Sequence, residues 1–183
     1  MRVPRTFVFV DISGFTNFTT TNGDVAAGEL LSNWRRITRD LASETGVRIA
    51  KWLGDGCMIV AVDPMDAVTF AMRLQNESVE ACAPLAVRSG IASGHALLFE
   101  GDDYIGTAVN MAARICDAAD PREVLIPADQ VENLPDGIRV TPHEPLHLRG
   151  LNEAVQVVSL SGRPKAPSGS DTGELWTRSP FVM

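Results

Sequence analysis

Cysteines, aromatic residues and long hydrophobic runs are all scarce in this sequence of 183 residues. The three cysteines (Cys57, Cys82 and Cys116) are odd in number and widely spaced, so they indicate neither a disulfide framework nor a zinc motif, and we expect them in the core. No segment is long enough to span a membrane, and the N-terminus lacks the features of a signal peptide. These absences predict a cytoplasmic protein.

Basic residues are outnumbered, with 16 Lys and Arg against 23 Asp and Glu and a net charge of −7. This balance opposes nucleic acid or an anionic membrane as the main partner. The hydrophobic fraction of 45% is that of a soluble globular protein, and the length suits one well-cored domain. An anionic small ligand would therefore need metal ions or a local basic pocket.

The first apolar run, at residues 7–10, ends abruptly in Asp11 and a turn at Ser13-Gly14. The run predicts a strand buried on both faces, so Asp11 should lie where a core strand meets solvent. From the residues alone, this carboxylate either caps the turn or holds a cation.

A second carboxylate, Asp55, lies in a predicted β-hairpin, between apolar runs at residues 47–53 and 57–62. The turn alone explains Asp55, but it does not explain Lys51. Strand alternation predicts Lys51 on the same face as Ile49, where a buried ammonium group would need a partner.

Helices are predicted on both sides of this hairpin. Helical spacing of apolar residues predicts a helix over residues 27–41, ended by Gly46, and Asp63-Pro64 should begin a second helix. A strand at residues 85–93 then completes the order strand, helix, hairpin, helix, strand. This order predicts an α+β fold with helices packed over one face of a sheet.

The C-terminal part of the predicted domain is an αβ extension. It should contain a helix over residues 107–118, a strand over residues 123–126 and a final pair of strands around Arg149. Beyond residue 160 the composition is that of a linker, rich in Pro, Gly and Ser. We therefore expect a folded domain over residues 1–160 and a flexible tail over residues 161–183.

Further polar residues lie near the helix over residues 107–118. Asn110 and Arg114 are four residues apart and share one face, and Asp103 lies three residues before Gly106. Each of these residues, taken singly, is explained as a polar group on the solvent side.

Taken together, these residues resemble the catalytic domain of the class III nucleotidyl cyclases. The resemblance covers about residues 7–160 in order, and it rests on Asp11 before Ile12-Ser13-Gly14-Phe15, Lys51 four residues before Asp55, Asp103 before Gly106, and Asn110 four residues before Arg114. It implies a ferredoxin-like (βαββαβ), palm-type sheet. It also implies an adenylate cyclase that converts ATP to 3′,5′-cyclic AMP and pyrophosphate.

The resemblance assigns metal ligands and base-reading residues. Asp11, Asp55 and the backbone carbonyl of Ile12 would hold two Mg²⁺ or Mn²⁺ ions, since carboxylates beside a triphosphate need dications between them. Lys51 and Asp103 would read N1 and N6 of adenine, which favours ATP over GTP.

The remaining implied roles concern ribose, phosphate and a second subunit. Asn110 would orient the ribose, and Arg114 would stabilise charge on the α-phosphate in the transition state. Arg149 is the nearest match to a family lysine that contacts the terminal phosphates. The family forms head-to-tail homodimers, in which one chain supplies the two metal-binding aspartates and the other supplies the remaining residues.

Three alternatives stay open at this point. They are a catalytically silent nucleotide-binding domain of the same fold, a guanylate cyclase, and a ferredoxin-like RNA-binding module. The filled catalytic positions oppose the first, and Lys51 with Asp103 opposes the second. The acidic balance and the scarcity of aromatic residues oppose the third.

Overall fold

The fold is described by a computed structural model that covers residues 1–99, 101, 103–132, 134–149 and 153–165. Within these residues there are eight strands and three α-helices: β1 (Arg2–Ser13), α1 (Phe15–Thr45), β2 (Arg48–Leu53), β3 (Gly56–Ala61), α2 (Pro64–Glu77), β4 (Ala86–Phe99), β5 (Asp103–Ile105), α3 (Thr107–Ala118), β6 (Val124–Pro127), β7 (Ile138–Pro142) and β8 (Val157–Gly162). Most of the predicted tail, from residue 166 onward, lies outside the described residues. None of the described helices is long and apolar enough to cross a membrane.

One sheet contains all eight strands, in the order β2-β3-β1-β4-β6-β8-β7, with β5 paired to β4. β1 is central and runs antiparallel to both β3 and β4. The first six elements follow the order βαββαβ, which confirms the predicted α+β, ferredoxin-like sheet. β6 and β8 extend the sheet beyond β4, and α3 precedes them in the chain.

The helices cover both faces of the sheet. Val8 of β1 faces the core that contains Trp34 of α1, whereas Phe7 packs with Ala112 of α3 in a second core. Alternation along β1 therefore directs its even-numbered residues toward α1 and α2 and its odd-numbered residues, including Asp11, toward α3. The helices predicted over one face are α1 and α2, and α3 lies on the opposite face.

The predicted start of α1 was wrong, because the helix begins at Phe15 rather than near residue 27. Gly23 interrupts it with non-helical dihedral angles (φ 84°, ψ 166°). The residues before Gly23 are mostly polar, and Thr19, Thr20 and Asn22 each donate to the backbone carbonyl four residues earlier. Their side chains are thus satisfied within the helix.

The predicted helix ends at Gly46 and Asp63 are confirmed. Gly46 is left-handed (φ 71°) and its N–H donates to the carbonyl of Ala42. The side chain of Asp63 accepts a hydrogen bond from the N–H of Met65 and caps α2, whose first residue is Pro64.

The predicted final pair of strands was wrong in its first strand. β8 follows Arg149 as predicted, but its antiparallel partner is β7, and the described residues around Arg149 form an isolated bridge between Leu146 and Val155. β7 is a short, mostly exposed strand at the edge of the sheet, and its alternating apolar residues, Ile138 and Val140, are too few to predict a strand.

The three cysteines are buried and free, as predicted. Burial raises the pKa of Cys82 to about 11 and that of Cys116 to about 12, so these thiols stay protonated at neutral pH. They act as small core residues.

Candidate active site

Two carboxylates meet where β1 ends. Asp11 lies opposite Gly56 in the register of β1 and β3, and Asp55 directly precedes Gly56 in the hairpin turn. The N–H of Ile12 donates to the backbone carbonyl of Asp55 (3.2 Å), which ties the turn to β1. Burial and repulsion from Asp11 raise the pKa of Asp55, although a backbone hydrogen bond and Arg88 oppose this shift. The structure therefore brings together two carboxylates that are 44 positions apart in the chain.

Gly56 allows this close approach. A Cβ atom at residue 56 would lie 2.6 Å from the carbonyl oxygen of Val10, closer than two such atoms can come. The same Cβ would lie 3.7 Å from Oδ1 of Asp11. Glycine after Asp55 therefore serves the packing of β3 against β1, in addition to forming the turn.

Arg88, on β4, holds Asp11 from the other side. Its Nε and Nη2 atoms donate to Oδ2 of Asp11 at 3.0 Å and 2.9 Å. Its Nη1 atom donates to the backbone carbonyls of Asp117 (2.8 Å) and Ala119 (3.3 Å) at the end of α3. Arg88 was not among the predicted site residues, although one signal was present: it is the only charged residue in the apolar run predicted as a strand at residues 85–93.

Lys51 and Asp103 form an ion pair between β2 and β5, so the lysine has the partner that the sequence demanded. Its predicted face was wrong. A register shift between Ile49 and Lys51 places Lys51 opposite Met58, on the side of α3, while Ile49 packs in the core of α1 and α2. The two charged side chains are 44% and 46% exposed, so a ligand can reach both.

Packing of Tyr104 holds β5 close to β1 and β2. Tyr104, next to Asp103, packs edge-on against Phe7 with ring centroids 5.4 Å apart. Its hydroxyl also accepts a hydrogen bond from Arg48 of β2 (3.2 Å). These contacts fix the strand that carries Asp103 close to the strand that carries Lys51.

Asn110 and Arg114 lie on the side of α3 that faces away from the sheet. The buried residues of α3 include Ala108 and Ala112. Asn110 and Arg114 each follow one of these by two residues, which is about 200° around a helix. Asn110 is exposed, and within the described part of the chain the guanidinium of Arg114 has no hydrogen-bond or ion-pair partner.

The predicted residues thus form two pairs and one outward-facing helix surface. Asp11 with Asp55 is the first pair, and Lys51 with Asp103 is the second. Arg149 is exposed in a turn, and no contact in the described ranges connects it to either pair.

Residues 4–162 match the family model for the adenylate and guanylate cyclase catalytic domain. The chain belongs to this family. The match confirms the predicted family. It includes the Asp11–Asp55 pair, the Lys51–Asp103 pair and the outward face of α3.

This cyclase domain is similar to several curated proteins and solved structures. An uncharacterized protein of Mycobacterium tuberculosis is 34% identical over 158 residues, which is 86% of this chain and 41% of that protein. An adenylate cyclase of Streptomyces coelicolor is 32% identical over 126 residues, covering 69% of this chain and 33% of the relative. The adenylyl cyclase CyaB from P. aeruginosa has a TM-score of 0.80 at 25% identity, covering 90% of this chain and 97% of that one. The chain thus spans less than half the length of these two curated relatives.

The carboxylate pair of the cyclase domain fits a divalent metal that is shared with a ligand. Carboxylate oxygens are the ligands that Mg²⁺ prefers, and Mg²⁺ is often held by one or two carboxylates plus substrate phosphates. Among the described residues, no group of three or more His, Cys, Asp or Glu side chains could hold a metal ion. The donor set therefore fits ions that a phosphate-bearing ligand helps to bind, and it does not fit a site built from protein side chains alone.

Proposed function

We propose that this cyclase domain is an adenylate cyclase, which converts ATP to 3′,5′-cyclic AMP and pyrophosphate. The observation that carries the proposal is the meeting of Asp11 and Asp55 at the end of β1, where repulsion between the two carboxylates contributes to the raised pKa of Asp55. In a family of nucleotide cyclases, two carboxylates that repel each other can lie beside a triphosphate when divalent cations bind between them.

The metal ligands in this proposal are Asp11, Asp55 and the backbone carbonyl of Ile12. Two Mg²⁺ or Mn²⁺ ions bound there would lower the pKa of the attacking 3′-hydroxyl and neutralise the developing phosphate charge. Asp11 and Asp55 bind and orient, and neither is needed as a proton acceptor. The hydrogen bond from Ile12 to the hairpin turn keeps the three ligands in one place.

Lys51 and Asp103 support ATP as the substrate. An ammonium group can donate to N1 of adenine, and a carboxylate can accept from its amino group at N6. Guanine has the opposite donors and acceptors at these positions, so the same pair would leave polar groups unpaired. Since the family includes both adenylate and guanylate cyclases, the base preference rests on this pair.

Asn110 and Arg114 support a site that is completed by a second copy of the chain. Both residues face away from the sheet that bears Asp11, which supports a site shared between two chains. We therefore propose a head-to-tail homodimer, in which Asn110 orients the ribose and Arg114 stabilises the charge on the α-phosphate. Arg149 would contact the terminal phosphates from its exposed turn.

The β4–β5 arm, which consists of residues 97–99 of β4 paired with residues 103–105 of β5, supports the same dimer. Leu97, Phe99 and Ile105 are 37%, 46% and 56% exposed. Leu97 and Ile105 are paired across the two strands, and Phe99 lies two residues beyond Leu97, so the three side chains share one face. An exposed apolar surface of this kind is typical of a protein interface.

The test is a direct assay of the purified protein for cyclic AMP and cyclic GMP, with Mg²⁺ and with Mn²⁺. We expect cyclic AMP from ATP and little cyclic GMP from GTP. Asp55→Ala should abolish the product because it removes one of the two carboxylates. Preferential formation of cyclic GMP would overturn the base assignment, and a wild-type protein that binds ATP without turnover would be the catalytically silent domain.

A further inference from the structure

The guanidinium of Arg88 is bonded to Asp11, one of the two carboxylates of the proposed metal site. Two of its donors point at one carboxylate oxygen, Oδ2 of Asp11. Its third nitrogen is fixed by two carbonyls at the end of α3, where the helix dipole also favours a cation. The arginine is therefore held in position by acceptors on both sides of the group.

This contact places a fixed positive charge beside the carboxylate of Asp11, directly on its Oδ2 atom. A guanidinium stays charged at every accessible pH, and a bound Mg²⁺ would lie about 2.1 Å from a ligand oxygen. Arg88 and Asp11 are only 24% and 29% exposed, so solvent does not fully screen the repulsion between the arginine and an incoming ion. Arginine and metal ion must therefore compete for Asp11.

We propose that Arg88 is the built-in counter-ion of the Asp11–Asp55 pair, and that divalent ions must displace it from Asp11 in order to bind. The inference rests on the proposed metal site and names how that site is regulated. While Arg88 holds Asp11, the nucleotide-free protein binds metal weakly. The extra ligands of the triphosphate then favour metal binding, so without nucleotide Mg²⁺ or Mn²⁺ fills the site only at higher concentrations of the free ion.

A purely structural role for Arg88 makes a different prediction. If the arginine served only to attach β4 to the end of α3, its removal would lower stability and leave metal affinity unchanged. Metal affinity in the absence of nucleotide thus separates the two roles.

The experiment compares Mn²⁺ binding to the nucleotide-free wild type and to Arg88→Gln, with free Mn²⁺ followed by electron paramagnetic resonance. Removing a charge a few ångströms from the ion should tighten binding about tenfold. Arg139→Gln is the matched control, since it removes the same charge from an exposed position on β7, at the opposite end of the sheet from β2. Unchanged or weaker binding by Arg88→Gln would overturn the inference, as would the absence of Mn²⁺ binding in both proteins.

A second measurement uses the wild type and does not depend on the folding of a variant. The Nε–H resonance of Arg88 should shift and exchange faster with water when Mg²⁺ is added, because its carboxylate partner is lost. A resonance that stays unchanged while Mg²⁺ binds would overturn the proposal. Neither readout uses nucleotide, so tighter Mn²⁺ binding by Arg88→Gln in a protein that forms no cyclic nucleotide would support the inference while the proposed function failed.

Discussion

At the scale of one residue, the charged form of Asp55 is unfavourable in the protein without bound metal ions. Burial and the nearby Asp11 both disfavour its charged form, and its pKa rises above the ordinary value. The folded protein therefore keeps the Asp55 proton to a higher pH than the unfolded chain does. By linkage, this carboxylate lowers the free energy of unfolding as pH rises from the unfolded value of 3.8 through the raised one.

Asp55→Asn should accordingly raise the Tm of the metal-free protein at about pH 7, because the neutral amide is not repelled by Asp11. The gain should shrink as the pH falls to about 3, below the unfolded value of 3.8, where Asp55 binds its proton in both states. The measurement is thermal unfolding in a chelator at both pH values, with Asp24→Asn as an exposed carboxylate control. A lower Tm for Asp55→Asn at neutral pH would contradict this account.

At the scale of elements, the contact between β4 and α3 determines where Asn110 and Arg114 lie. Gly90 of β4 meets α3 directly, because a Cβ atom there would lie 2.2 Å from the backbone nitrogen of Cys116 and 2.4 Å from the carbonyl oxygen of Ala112. These neighbours are backbone atoms of a helix, so they cannot move independently. A larger residue at position 90 would push the whole helix away from the sheet.

Gly90→Ala should therefore destabilise the protein by about 1–3 kcal/mol and lower cyclase activity, since it displaces the helix that carries Asn110 and Arg114. Chemical denaturation measures the first effect. Gly28→Ala is the matched control, because Gly28 lies in α1 with no atom within 4 Å of an added Cβ. That change should be neutral or stabilising by up to about 1 kcal/mol. A Gly90→Ala variant as stable as the wild type would show that the contact is looser than described.

The sequence predicted elements well where hydrophobic periodicity was strong. It identified the βαββαβ order, the hairpin around Asp55 and the bounds of α3. It failed where tertiary context decides. The first turns of α1 are polar but satisfy their own side chains, and β7 is an exposed edge strand. The apolar pattern is too weak in the first of these segments and too short in the second to predict either element.

The site residues show the same contrast between what the sequence pattern predicts and what tertiary structure decides. Asp11, Lys51, Asp55 and Asp103 were predicted from their joint resemblance to the cyclase pattern, and the structure groups them as two pairs. The face of Lys51 was wrong because a bulge changes alternation, and a bulge leaves no clear mark in one sequence. Arg88 was missed because its partner Asp11 is 77 residues away and becomes a neighbour only through the pairing of β1 with β4.

At the scale of the whole molecule, one chain presents two separate surfaces that carry the predicted site residues. The carboxylate pair lies at the end of β1, and the outward face of α3 carries residues that point away from that sheet. The exposed apolar residues of the β4–β5 arm provide a surface on which two chains could associate. Activity should therefore belong to the dimer.

Mixing two inactive variants tests this claim most directly. Asp11→Ala removes a metal ligand, Arg114→Ala removes the proposed transition-state residue, and each homodimer should be inactive. In a mixed dimer one site contains both lesions and the other contains neither. Random association should then restore about a quarter of the wild-type cyclase activity. If heterodimers form and no activity returns, the two residues act within one chain and the shared site does not exist.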